Sequence, residues 1–212
     1  MAVNPHRLGV LAVLWLAGLY LRLPMLVAPP LAPLIGAELS LNQSQIGALT
    51  TIPVLMLALG ALPGSFFIAR LGPGLALVLA LVLLALASAG RGLAPPPMVL
   101  FACTVLLGFA VAVMQPALPV LVGQWLPGSL ALGSAVYMNG MLMGEFIGAG
   151  LTLPVVMPLL DGDWRATLLV WSLPALVVAA LVGAISRSRS GDRSYGEASR
   201  SEASRSGDRS YG

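Results

Sequence analysis

The sequence predicts an all-α polytopic membrane protein. Six transmembrane helices form two inverted three-helix repeats over residues 1–185, and residues 186–212 form a disordered Arg/Ser/Gly-rich repeat tail. Three observations lead there. Of 212 residues, 58% are hydrophobic and only 9% charged, with a mean hydropathy of +0.94. A soluble domain carries about 25% charged residues, so this chain has too few polar side chains to cover a water-facing surface, and too much apolar content to stay disordered. The apolar residues come in long runs rather than in alternation, which argues against a membrane β-barrel. Finally, a short motif recurs at an offset of 86: Pro30-Leu31-Ala32-Pro33 and Pro116-Ala117-Leu118-Pro119, each followed fourteen residues after its second Pro by a Gly, Gly47 and Gly133.

Each span follows from the need for about 20 apolar residues to cross the hydrocarbon. Span 1 is read at 8–36, interrupted by Arg22; it is too long for a signal-peptide core and ends without a small-residue cleavage site. A polar connector, 37–44, leads to span 2 at 45–69. The turn Arg70-Leu71-Gly72-Pro73-Gly74 leads to span 3 at 74–90. Arg91 and Pro95-Pro96-Pro97 make the next connector, then span 4 covers 98–125, and Leu126-Pro127-Gly128-Ser129 is a further turn. Span 5 covers 130–159, Asp161-Gly162-Asp163-Trp164-Arg165 is a polar connector, and span 6 covers 166–185. Backbone groups in lipid must be satisfied within the segment, so each span is expected to be an α-helix.

With six spans both termini share one side. Arg7, Arg70, Arg187 and Arg189 lie on one face, Arg91 and Arg165 on the other, which favours cytoplasmic termini in a cell inner or plasma membrane. The tail holds six of the eleven Arg, and Ser188 to Gly196 recurs identically as Ser204 to Gly212. Such a repeat cannot bury a core; a solvated segment, or the product of a frame error or slipped DNA, explains it better than an RNA-binding or lipid-headgroup-binding tail. In the repeat, span 1 and span 4 run in opposite directions, so the topology is inverted, with Pro-broken helices in matching positions. That is the sequence mark of secondary transporters.

Two ionisable residues lie mid-span: Arg22 in span 1 and Glu145 in span 5, at similar depth. A charge there costs about 2.5–3.5 kcal/mol on insertion scales and faces a cavity or a partner. Two readings compete. Arg22, with five donors and a permanent charge, binds an anionic or polar solute; or Arg22 and Glu145 neutralise each other and hold the bundle. Glu145 is also a candidate for proton coupling. Gln115, Tyr137 and Asn139 are candidate solute-site residues, against interhelical hydrogen bonding, which is favoured for Thr50 and Thr51. Gly140, Gly144 and Gly148, with Gly150 following, have small-xxx-small spacing and read as a close-packing face. Cys103 lies in an apolar run and reads as a buried, inert residue. One Cys and one His, His6, supply neither a metal site nor a His-based catalytic set; no cofactor and no enzymatic activity are expected.

Several stretches resemble the cyanate and nitroimidazole transporter family of the major facilitator superfamily. They are Tyr20-Leu21-Arg22 before a Pro-rich end of span 1; Leu39-Ser40 with Gly47-Ala48-Leu49-Thr50-Thr51-Ile52-Pro53-Val54-Leu55; Leu107-Gly108-Phe109-Ala110-Val111-Ala112 with Leu118-Pro119-Val120-Leu121-Val122; and Asp163-Trp164-Arg165. The chain departs from the family pattern at Tyr20, which stands for Asn. It departs again between spans 2 and 3, where only Arg70 and Gly72 remain of the charged loop and Ala69 replaces its acid. The resemblance implies the first six of twelve helices and secondary transport of a small polar or anionic solute by rocking halves, with Arg22 at the solute site. It also implies spans 1 and 5 as neighbours, which puts Glu145 in reach of Arg22. The partners it implies are the lipid bilayer and a second six-helix half or a second copy in a homodimer, with no nucleic acid. The alternative is a truncated fragment that inserts without transporting.

Overall fold

The computed structural model describes the backbone of residues 5–93 and 96–208 and the side chains of 6–93 and 96–188. Six helical segments are long and apolar enough to cross a membrane: span 1 His6–Glu38, span 2 Gln43–Leu71, span 3 Pro73–Leu93, span 4 Pro97–Trp125, span 5 Leu130–Leu159 and span 6 Trp164–Ser188. The described backbone is all helix and turn. Spans 1, 2 and 6 begin two residues earlier than hydropathy suggests, and at spans 2 and 6 polar residues cap helices that continue past the apolar run. Asn42 and Gln45 close a reciprocal capping box at 2.9 Å in each direction. Asp163 accepts the Arg165 amide at 2.8 Å at the start of span 6. Span 2 stops at Gly72, whose φ of 78° only glycine adopts without strain.

The helix of span 6 carries on to Asp208 in backbone, beyond the boundary read at Ile185. That helix takes in most of the tail expected to be disordered; side chains from Arg189 onward and residues 209–212 lie outside the described residues.

Two spans are not simple α-helices. Span 1 breaks at Val27 into Pro5–Leu26 and Ala28–Glu38. Pro24, Pro29, Pro30 and Pro33 each lack the N–H that would bond the carbonyl four residues earlier. Span 5 was expected to be α throughout. It is α over Leu130–Glu145, then a π-helix over Phe146–Val156 and a last α turn, Met157–Leu159. Pro154, inside the π segment, removes one regular donor, and Thr152 back-bonds the Gly148 carbonyl at 2.6 Å.

Neighbour relations follow the inverted repeat. The tightest helix pairs are spans 1 and 5, 2 and 4, 3 and 6, and 3 and 4. Exchanging the repeats turns the 1–5 pair into the 2–4 pair and maps the 3–6 pair onto itself; the 3–4 pair departs from the symmetry, since its image, 1–6, is much looser. Spans 1 and 5 run parallel, and glycine brings them together. A Cβ on Gly140, Gly144 or Gly148 would meet the carbonyl of Trp15, Leu19 or Leu23, and a Cβ on Gly18 the carbonyl of Tyr137. This approach gains packing and Cα–H···O contacts where lipid offers no hydrophobic drive. The 2–4 pair closes likewise, with Gly64 against Ala112 and Val113 and Gly108 against Pro53 and Met56. The Thr50 and Thr51 hydroxyls donate to the Gly47 carbonyl of their own helix, at 2.9 and 3.0 Å. The interhelical bonds expected of them are therefore not made: a threonine hydroxyl reaches the carbonyl three or four residues back.

At the end of the bundle away from the N-terminus, Glu38 ties span 1 to span 6. Its carboxylate accepts the Trp164 indole N–H at 2.5 Å and pairs with Arg165, whose guanidinium lies 4.4 Å from the Trp164 ring centroid. The pair is half-exposed, so solvent screens it. Glu38→Gln is expected to lower the Tm in detergent modestly. Raising salt towards about 1 M should shrink the gap between parent and variant.

Candidate functional site

The seam between spans 1 and 5 carries two polar pairs. Arg22 Nε lies 3.5 Å from Glu145 Oε1, and both side chains are part-exposed, 31% and 40%. Arg22 Nε is itself buried and makes no hydrogen bond, so the contact is an ion pair without a directed bond. The guanidinium has donors to spare for another ligand. Sequence places Arg22 between Leu21 and Leu23, both fully buried, which leaves the arginine on the seam's edge. Glu145 is the last residue of the α segment before the π-helix. A π segment re-aims the side chains beside it, and such segments collect at functional sites.

Seven residues earlier on span 1, about 10 Å along the axis, the Trp15 indole N–H donates to Asn139 Oδ1 at 2.9 Å. This bond fixes the amide orientation and leaves the Asn139 NH2 as a donor at an exposed position. Trp15→Phe removes the donor. We expect a loss of about 0.6 kcal/mol, the average for interhelical bonds in membranes, read as a small fall in the midpoint of denaturant unfolding.

The other candidates are spread out. Tyr137 is buried inside the bundle, its carbonyl against Gly18. Gln115 is exposed and lines a cavity of about 240 Å³ between spans 2 and 4, with Ala61, Ser65 and Pro116. So the structure brings Arg22 and Glu145 together and places Asn139 on the same seam, while Gln115 sits on the symmetry-related one. A larger cavity, about 730 Å³, is elsewhere. It lies at the end that carries the N-terminus, with His6, Gln124 and Arg187 on its wall and Arg22 not part of it. Arg22 and Glu145 line neither of these cavities and stay part-exposed on the 1–5 seam.

One charged residue was misplaced by sequence reasoning. Arg91, read as part of a connector, is in the last turn of span 3 and 2% exposed. Its NH2 donates to the Pro24 carbonyl at 2.9 Å. The helix runs on to Leu93, and the apolar residue after Gly92 was the available signal. Cys103, read as buried, is half-buried and packs beside Gly90.

The comparisons with known proteins agree with this arrangement. The chain matches the family model of the Major Facilitator Superfamily over residues 14–206. It is 30% identical over 166 residues to the 2-nitroimidazole transporter of Escherichia coli (strain K12), covering 78% of this chain and 41% of that protein. Among solved structures it is similar to a bacterial homologue of the human lysosomal transporter Spinster, in an inward-facing, unoccupied conformation. The TM-score is 0.71 at 21% identity, over 85% of this chain and 43% of the other. The chain thus spans about two-fifths of the length of the relatives it matches. A match over most of its length, on six spans paired as an inverted repeat, makes the chain a member of the Major Facilitator Superfamily.

Proposed function

We propose that this chain is the first six-helix half of a secondary transporter that moves a small polar or anionic solute across the cell inner or plasma membrane by alternating access. Arg22 is the principal solute ligand in this reading and Asn139 a second donor. One observation carries it. A mid-span arginine, costly in lipid, sits part-exposed on the 1–5 seam beside Glu145 without a hydrogen bond between them. An anion arriving at Arg22 would compete with Glu145. Protonation of Glu145 would free Arg22, which links solute binding to a proton. Both termini are cytoplasmic in this reading, and Gln115 and Tyr137 line or support the path from spans 4 and 5.

The length relation to the relatives favours a specific partner: a second six-helix half, or a second copy of this chain, closes the exposed Arg22 face. Solute counterflow into proteoliposomes tests the reading, with 2-nitroimidazole and nitrate as probes. We expect uptake above that of empty vesicles when the face is closed, and mass measurement in nanodiscs then gives twelve helices per particle. A chain that stays a six-helix monomer, inserts and gives no counterflow is the transport-inactive fragment, and the proposal falls.

A further inference from the structure

Arg91 is the largest fully buried side chain among the described residues, and it is not part of the proposed solute site. Neither ion pair among the described residues involves it, and its Nε has no partner. A buried cation without a counter-ion is expensive. What it does hold is a single carbonyl, that of Pro24, two residues beyond Arg22 and three before the break at Val27.

The platform behind it is fixed. A Cβ at Gly90 would meet Cys103 of span 4, and one at Gly92 would meet the Arg165 carbonyl and Leu168 of span 6. Arg91 therefore reaches span 1 from a helix end wedged against two others. Its target is the stretch of span 1 that prolines make bendable: Pro24, Pro29, Pro30 and Pro33 all withhold regular donors there. Missing backbone hydrogen bonds leave the helix free to bend there. A guanidinium hydrogen bond at 2.9 Å from that wedged helix end to one carbonyl restrains the bend.

We propose that Arg91 is a positioning residue. By clamping the Pro24 carbonyl it sets the bend of span 1, and that bend places Arg22 against Glu145. The clamp stands on geometry alone; its meaning for solute binding rests on the function proposed above.

Spin-label distance measurements in a Cys103→Ser background test it in the full chain. One label pair replaces Leu8 and Leu34, both exposed and on opposite sides of the break; the other replaces Leu8, on the Arg22 side of the break, and Leu142, exposed on span 5 close to Glu145. The parent should give a single narrow distribution for each pair. Arg91→Met is expected to shift or broaden both, and Arg91→Lys, which keeps a charged donor, to stay closer to the parent. If Arg91→Met does not fold, Arg91→Gln, too short to reach Pro24, is expected to show the same change. Parent-like distributions in the folded Met or Gln variant overturn the clamp. A change in the Leu8–Leu34 pair with none in the Leu8–Leu142 pair overturns the positioning of the seam. If the distances move as expected and 2-nitroimidazole or nitrate still binds no variant and no parent, the functional reading has failed and the clamp has not.

Discussion

Gly144→Leu is expected to leave little folded protein. The Cβ of any side chain at 144 would press on the Leu19 carbonyl and crowd the Leu23 amide, both backbone atoms of a packed helix. Overpacking costs about 1–3 kcal/mol where side chains can yield; here nothing flexible is in the way, so the loss should reach or exceed the top of that range. The effect should appear as aggregation on size-exclusion chromatography in detergent, or as a strongly lowered Tm. Gly150→Ala is the internal control. It lies in the same span and belongs to the same run of glycines, yet its Cβ would meet only the Phe146 ring of its own helix at 3.8 Å. A change within about 0.5 kcal/mol is expected there. Equal losses at 144 and 150 would mean that the seam does not hold spans 1 and 5 together.

Arg22→Ala is expected to abolish solute binding while leaving the bundle folded. The side chain is part-exposed, and its one ion pair lacks a hydrogen bond, so little packing is lost with it. The price falls on Glu145, which is left without a cation in the membrane. Glu145→Gln works the other way: it removes the competitor for Arg22, and binding of an anion such as nitrate should tighten. The sign of the two effects separates the solute-ligand reading from the purely structural one. If the pair only holds the bundle, both substitutions lower the Tm and neither changes binding in a direction of its own.

What the sequence made legible is what the bilayer demands. Span positions follow from hydrocarbon thickness, and the starts of spans 2 and 6, each missed by two residues, are set by the caps at Asn42–Gln45 and Asp163. The glycine ladder was legible because spacing of four residues has one meaning in a membrane helix, and Gly140, Gly144 and Gly148 all meet span 1. The pairing of Arg22 with Glu145 needed helix adjacency, which the residues themselves do not state; the family resemblance supplied it.

Three features were hidden for physical reasons. The π-helix over Phe146–Val156 lies in a stretch apolar on all sides, so no polar face marks the change in winding. Arg91 was assigned to a loop because a charge beside glycine looks like the end of a span, whereas a guanidinium can stay inside where a proline-bent helix offers a carbonyl. The indole donor to Asn139 was missed because Trp15 is 124 residues away and belongs to an otherwise apolar run.

The central claim is that Arg22 makes this half of the fold a solute-binding surface. Isothermal titration of the purified chain in nanodiscs with 2-nitroimidazole, and separately with nitrate, tests it most directly. The account predicts saturable binding of at least one of them to the parent, tighter nitrate binding to Glu145→Gln, and no binding to a folded Arg22→Ala. The same isotherm in parent and Arg22→Ala, or none in the parent, would contradict it.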